Sequence, residues 1–119
     1  MNALVLLVAA LESFGWRYDQ DILKLQAEEE EPEKYVIYNI EEERPVHFAD
    51  DVPCDEETSV QVHMYLPEDM DYRKDRKQLK QLLVDSGFSY PSVSLNLTES
   101  ETGKRHICLE TNICTESEV

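Results

Sequence analysis

Three histidines and three cysteines are the side chains best suited to do chemistry, and they form two loose groups. His47, Cys54 and His63 lie within seventeen residues; His106, Cys108 and Cys114 form the second group. Imidazole and thiolate both suit zinc, but a preorganised zinc site is built on close pairs such as Cys-x-x-Cys or His-x₃-His. Neither group contains one. The expectation is therefore no metal site, with His47 and His63 on a sheet surface and the cysteines as small fillers. A Cys/His nucleophile has the right residue types here and no further signature. The three glycines, Gly15, Gly87 and Gly103, are too far apart for a phosphate-cradling loop. Carboxylates are so abundant that no catalytic pair stands out, and acid/base work also needs a pocket. The reading is not an enzyme, with no cofactor.

The elements that would position these residues can be read from periodicity. Residues 3–14 form a short helix, apolar on nearly every side, which suits burial against a sheet or a neighbouring subunit; Gly15 stops it. The run lacks a basic leader and a clear cleavage site, so it reads as a buried helix and not as a signal peptide. Residues 16–26 are ambiguous between strand and irregular chain. Residues 27–33 hold four adjacent glutamates and Pro32, and read as a mobile loop. Tyr35, Val36, Ile37, Tyr38 and Ile40 mark a strand over 34–40. Residues 41–45 read as its turn, 46–49 as a short strand and 50–57 as an acidic loop. Val60, Val62, Met64 and Leu66 alternate with Gln61, His63 and Tyr65, as in a half-buried antiparallel strand.

Pro67, Glu68, Asp69 and Asp71 are helix-start signals, and the helix should run to Ser86, closed by Gly87 with Phe88 packing back. Residues 92–98 and 104–113 form a hairpin, with Val93, Leu95 and Leu97 facing inward. The C-terminus near 114–119 reads as frayed. The fold class is α+β: a small antiparallel β-sheet with one face covered by two helices, in one domain spanning 1–119.

Charge is the strongest compositional feature. The 119 residues hold 26 Asp+Glu against 11 Lys+Arg, a net −15. This argues against gripping nucleic acid through a broad basic face and against adsorption to anionic membranes. No stretch approaches a membrane-spanning length. An odd, sparse set of cysteines suggests a reducing compartment, and without secretion the sequon at Asn96 has no meaning. Residues 28–57 hold thirteen acids and two bases, a local −11. Against this, Arg73, Lys74, Arg76, Lys77 and Lys80 cluster on the outer face of the second helix. The two patches suggest subunit or partner contacts: Arg73, Lys74, Arg76 and Lys77 against Asp50, Asp51, Asp55 and Glu56 of another copy, closing head to tail.

A succession of short motifs resembles a known family. Tyr35-Val36-Ile37-Tyr38-Asn39, an acidic turn with Pro45, Phe48-Ala49-Asp50-Asp51-Val52-Pro53, the alternating strand 59–66, and a helix ending in Gly87-Phe88 are similar to the tail-completion, or tail-terminator, proteins of long-tailed bacteriophages with non-contractile tails. The likeness covers residues 35–88, about half of the chain. Glu28–Glu31 looks like a local insertion, and Cys54 with its following acids alters the loop after Pro53. The resemblance implies a structural virion protein that forms a homo-hexameric ring at the head-proximal end of the tail tube. Such a ring ends tube growth and presents the surface that docks to the head. Its implied partners are the tail tube protein and the head–tail connector, with no membrane. DNA passes through the lumen without specific binding, which negative walls would favour. It is assembled in the host cytoplasm. The alternative from the charge alone is an acidic DNA-mimic inhibitor of a basic DNA-binding protein, although the clustered bases on the second helix suit that reading poorly.

Overall fold

The computed structural model describes residues 2–46 and 55–116. The chain runs α1 (Ala3–Phe14), β1 (Arg17–Gln20), β2 (Tyr35–Pro45), β3 (Glu56–Pro67), α2 (Arg73–Asp85), β4 (Ser92–Thr98) and β5 (Lys104–Thr115). The five strands form one sheet in the order β1-β2-β3-β5-β4. The two helices pack on each other and against one face, giving an α+β fold with a mostly antiparallel sheet.

Local chemistry sets the helix ends. Asn2 Oδ1 accepts from the Val5 amide at 2.9 Å and caps α1; Gly15 closes it at φ 89, a left-handed position that a side chain disfavours. The buried side of α1 is Ala3, Leu7, Ala10, Leu11 and Phe14, at helical spacing. α2 begins at Arg73, later than Pro67, Glu68 and Asp69 suggested, because Pro67 ends β3 and a turn from Pro67 to Met70 intervenes. Asp71 is the acid that works at its start, accepting from the Arg73 amide at 3.0 Å. At its far end Phe88 donates to the Leu83 carbonyl at 3.0 Å while Gly87 takes φ 106, and the Phe88 ring is buried. That is the expected close.

The core lies between helices and sheet. Val60, Val62, Met64 and Leu66 of β3, Leu79 and Leu83 of α2, and Ile107 and Leu109 of β5 are all 0% exposed. Burial of each such side chain is worth roughly 1.5–3 kcal/mol. The alternation expected in β3 is therefore met at every position.

Four features differ from the sequence reading. First, β1 pairs with β2 in parallel, Arg17 opposite Tyr35; the sheet is not wholly antiparallel. Parallel neighbours need a crossover, and residues 21–34 supply it. The acidic run within it is held down by contacts: Arg17 donates to Glu29, the Gln26 amide to Glu29 Oε1 (2.8 Å), Tyr35 Oη to Glu31 (3.2 Å) and Lys104 Nζ to the Glu33 carbonyl (3.1 Å). Second, residues 41–45 are not a turn. β2 bulges between Ile40 and Glu42 and continues, pairing through Pro45 with Glu56. Arg44 bridges Glu57 at 2.8 Å across the pair, offsetting some of the repulsion among the acids. Glu56 and Glu57 accordingly belong to a strand and not to the acidic loop. Third, β5 continues to Thr115, two residues beyond the hairpin strand expected and into the stretch read as frayed, because β3 provides partners as far as Glu56. Fourth, a bulge between Val93 and Leu95 turns Leu95 and Leu97 toward the helix-free face, opposite Cys108 and His106. Val93 and Leu97 are 39% and 42% exposed, so β4 is an edge strand and not a core one. Apart from Val46, the strand expected over 46–49 lies outside the described residues.

Candidate functional surfaces

The pairing of β2 with β3 extends past the core as an acidic arm. Burial falls away along β2, from Tyr35–Tyr38 inside to residues 41–45 exposed. The arm carries Glu41, Glu42, Glu43, Glu56 and Glu57, with Asp55 at its foot. Asp50 and Asp51, the other acids expected at an interface, lie outside the described residues, as do His47 and Cys54.

The basic surface is at the opposite end. β3 runs twelve residues from Glu56 to Pro67, about 40 Å of strand, in a molecule whose longest dimension is 45 Å. α2 starts six residues beyond Pro67. Lys74 and Lys77 are exposed, flanking a shallow depression with Leu82 on its wall. Arg73 is tied to Asp71 at 3.2 Å. Arg76 lies 5.0 Å from the Tyr72 ring and Lys80 5.2 Å from the Tyr90 ring, so these two are drawn back against aromatics. Arg105 stacks on Tyr72 at 4.8 Å. A hydrogen bond from Asn96, then the charges of Arg105 and Arg76, hold the Tyr72 phenol below its ordinary value. The structure thus keeps the predicted cations on one helix but separates their roles. α2 follows the Pro67 end of β3, whereas Glu56 begins that strand at its other end.

The helix-free face of the sheet carries a feature that sequence spacing did not reveal. β3 and β5 bring His63 and His106 together, with Nδ1 of His63 2.7 Å from Nε2 of His106. Asn39 Oδ1 lies 3.2 Å from His63 Nε2, and Glu99 Oε2 lies 3.5 Å from His106 Nδ1. Asn39 Nδ2 donates to Gln61 Oε1 at 3.2 Å, and Gln61 Nε2 donates to Glu110 Oε1 at 3.0 Å. Tyr65 stacks on His106 at 4.4 Å and Tyr35 on Tyr65 at 4.9 Å. Burial lowers the proton affinity of both imidazoles; the charge of His106 adds to this at His63, and Glu110 and Glu99 oppose it. Cys108, buried beside His63 at 3.9 Å, has its thiol pushed up by burial. Among the described residues no group of three or more His, Cys, Asp or Glu is arranged to hold a metal ion. The signal that finds this pair is sheet register, which sets Tyr65 opposite His106 and His63 opposite Cys108.

Cys114 corrects the reading of the cysteines as fillers. It is disulfide-bonded. Spacing along the chain could not show this, because strand pairing is what carries Cys114 to the foot of β3, opposite Glu57. No family model matches the chain, and no curated protein matches it. Among the described residues no helix is long and apolar enough to cross a membrane.

Proposed function

We propose that this chain is a ring-forming structural protein of a phage tail, seated at the head-proximal end of the tail tube. There it ends tube growth and offers the surface on which the head docks. The observation that carries this reading is the placement of an acidic β2–β3 arm at one end of β3 and of the exposed Lys74 and Lys77 on the first turns of α2, which follows the other end of that strand. Patches so placed favour a heterologous contact between copies, which closes into a ring when the rotation per copy is right. The α+β fold, with helices on one sheet face, agrees with the fold that the resemblance implies. A negative wall facing the lumen would let DNA pass without sticking. On this reading the partners are further copies, the tube protein and the connector, and assembly takes place in the host cytoplasm. Cys114 would then be reduced during assembly, its disulfide closing once the virion meets oxidising surroundings.

Light scattering over a concentration series, at low and moderate salt, tests the ring. A species near six times 13.9 kDa is expected. Reversing Lys74 and Lys77 to Glu should weaken it, and reversing Glu42 and Glu43 to Lys in the same chain should restore it. These lysines are the better choice because Arg76 also supports Tyr72. A monomer at every salt concentration, with one-to-one capture of a basic DNA-binding protein, would replace this reading with the DNA-mimic one.

A further inference from the structure

The polar chain on the helix-free face has its direction dictated from both ends. An ionised carboxylate can only accept hydrogen bonds. Glu110 therefore requires Gln61 to present its Nε2, which leaves Gln61 Oε1 to accept from Asn39 Nδ2. That in turn leaves Asn39 Oδ1 facing His63 Nε2, so Nε2 carries a proton. From the other end, the Glu99 carboxylate beside His106 Nδ1 draws a proton onto that nitrogen. A neutral imidazole has one N–H, and each ring has now spent it. The two remaining nitrogens, Nδ1 of His63 and Nε2 of His106, would face each other as lone pairs at 2.7 Å. Two lone pairs at that distance repel.

We propose that His63 and His106 hold one shared proton between them, forming a proton-binding site on the open face of the sheet. The N···N separation is that of a charge-assisted hydrogen bond. The groups that face the site are Glu99 from the β4–β5 turn, Glu110 and Cys108 from β5, and Tyr65 from β3. Tyr35 of β2 lies behind Tyr65, with Glu31 and Lys104 beside it, and Glu41 acts on Cys108. The two rings titrate as one unit. The first proton is held by the geometry. A second is opposed, because the one remaining lone pair already accepts the shared hydrogen bond and burial resists further charge. The site links β2, β3, β5 and the β4–β5 turn, and it does not depend on ring assembly.

Long-range proton–nitrogen NMR of the wild-type imidazoles at neutral pH is the direct test. Protons on His63 Nε2 and His106 Nδ1, with the two facing nitrogens sharing one more, are expected. A lone pair on either outer nitrogen would overturn the proposal, since the chain would then run in one direction without an added proton. The second test compares the wild type with His106→Gln by denaturant unfolding between pH 7 and 9, above the unfolded imidazole value. Burial lowers the affinity of each imidazole taken singly. The first proton shared by the pair, however, replaces two facing lone pairs with a hydrogen bond, and this raises the pair's folded affinity above the unfolded value near 6.5. Its contribution is greatest near that value: below it the unfolded chain takes up a second proton that the folded pair excludes, and above it the contribution is lost as pH rises through the folded step. The wild-type advantage in unfolding constant should shrink with rising pH by up to about tenfold per pH unit. An advantage that grows with pH would mean that the pair is neutral and buried, and would overturn the proposal.

Discussion

Two buried threonines on the core face should respond to the same substitution with opposite sign. Thr58 of β3 and Thr111 of β5 are 2% and 6% exposed. The Thr58 hydroxyl is buried without a hydrogen-bond partner. The Thr111 hydroxyl donates to the Ser89 carbonyl and lies 2.9 Å from Ser89 Oγ. An unmet buried polar group costs about 1–3 kcal/mol. In Thr58→Val a methyl replaces that hydroxyl in nearly the same volume and adds apolar burial, so stability should rise by about 1–2 kcal/mol. Thr111→Val instead strips the Ser89 carbonyl of its donor and should lose about 1–2 kcal/mol. The two variants should therefore lie about 3 kcal/mol apart, with about 3–6 °C in Tm for each kcal/mol in a chain of this size. Guanidinium unfolding followed by circular dichroism reads both, with protein concentration fixed and the m-value unchanged. If Thr58→Val loses stability, its hydroxyl is serving the fold and the argument from unmet polarity fails.

Tyr35 is pushed up to about 12, first by burial and then by the neighbouring Glu31. Its neutral form is favoured in the folded state, so stability should fall as pH rises from 10 toward 12. A spectrophotometric titration should show the phenols of Tyr18, Tyr38 and Tyr65 also resisting ionisation, with that of Tyr35 held back furthest. Gly15→Ala and Gly87→Ala should each cost about 1–2 kcal/mol from the positive φ alone. Gly87→Ala should cost more, because its new Cβ would lie 3.3 Å from Ile113 Cδ1 while Gly15 faces open space; thermal melts compare them.

What was legible in the sequence was local. Alternation in β3 named its buried face correctly, because Val60, Val62, Met64 and Leu66 answer to a period of two wherever the partner strands lie. The span of α1 and the close of α2 were legible for the same reason, since Gly15 and Gly87 act within one turn, whereas the start of α2 was not. What was hidden depended on partners. The length of β2 rests on β3, which offers ladder bonds as far as Glu56 and outweighs the unfavourable run of glutamates. The inward face assigned to Leu95 and Leu97 failed at a one-residue bulge, which exchanges the faces of everything after it. His63 and His106 are 43 residues apart in the chain, and only the pairing of β3 with β5 makes them neighbours. The cationic helix was visible from spacing, but the retreat of Arg76 and Lys80 onto tyrosines was not.

The strand order carries a consequence for how the molecule comes into being. β5 leaves the ribosome after β1 to β4, yet it lies between β3 and β4 in the sheet. Until it arrives, one side of β3 has no partner, β4 has nothing to join, and the apolar row of β3 has only part of its cover. The hairpin of β2 and β3 can form early, whereas β1 must wait for β2 across its crossover, and closing such distant contacts is slow. A chain interrupted before β5 would present a long open strand edge, which invites aggregation. Synthesis of β5 therefore acts as the gate to a finished sheet.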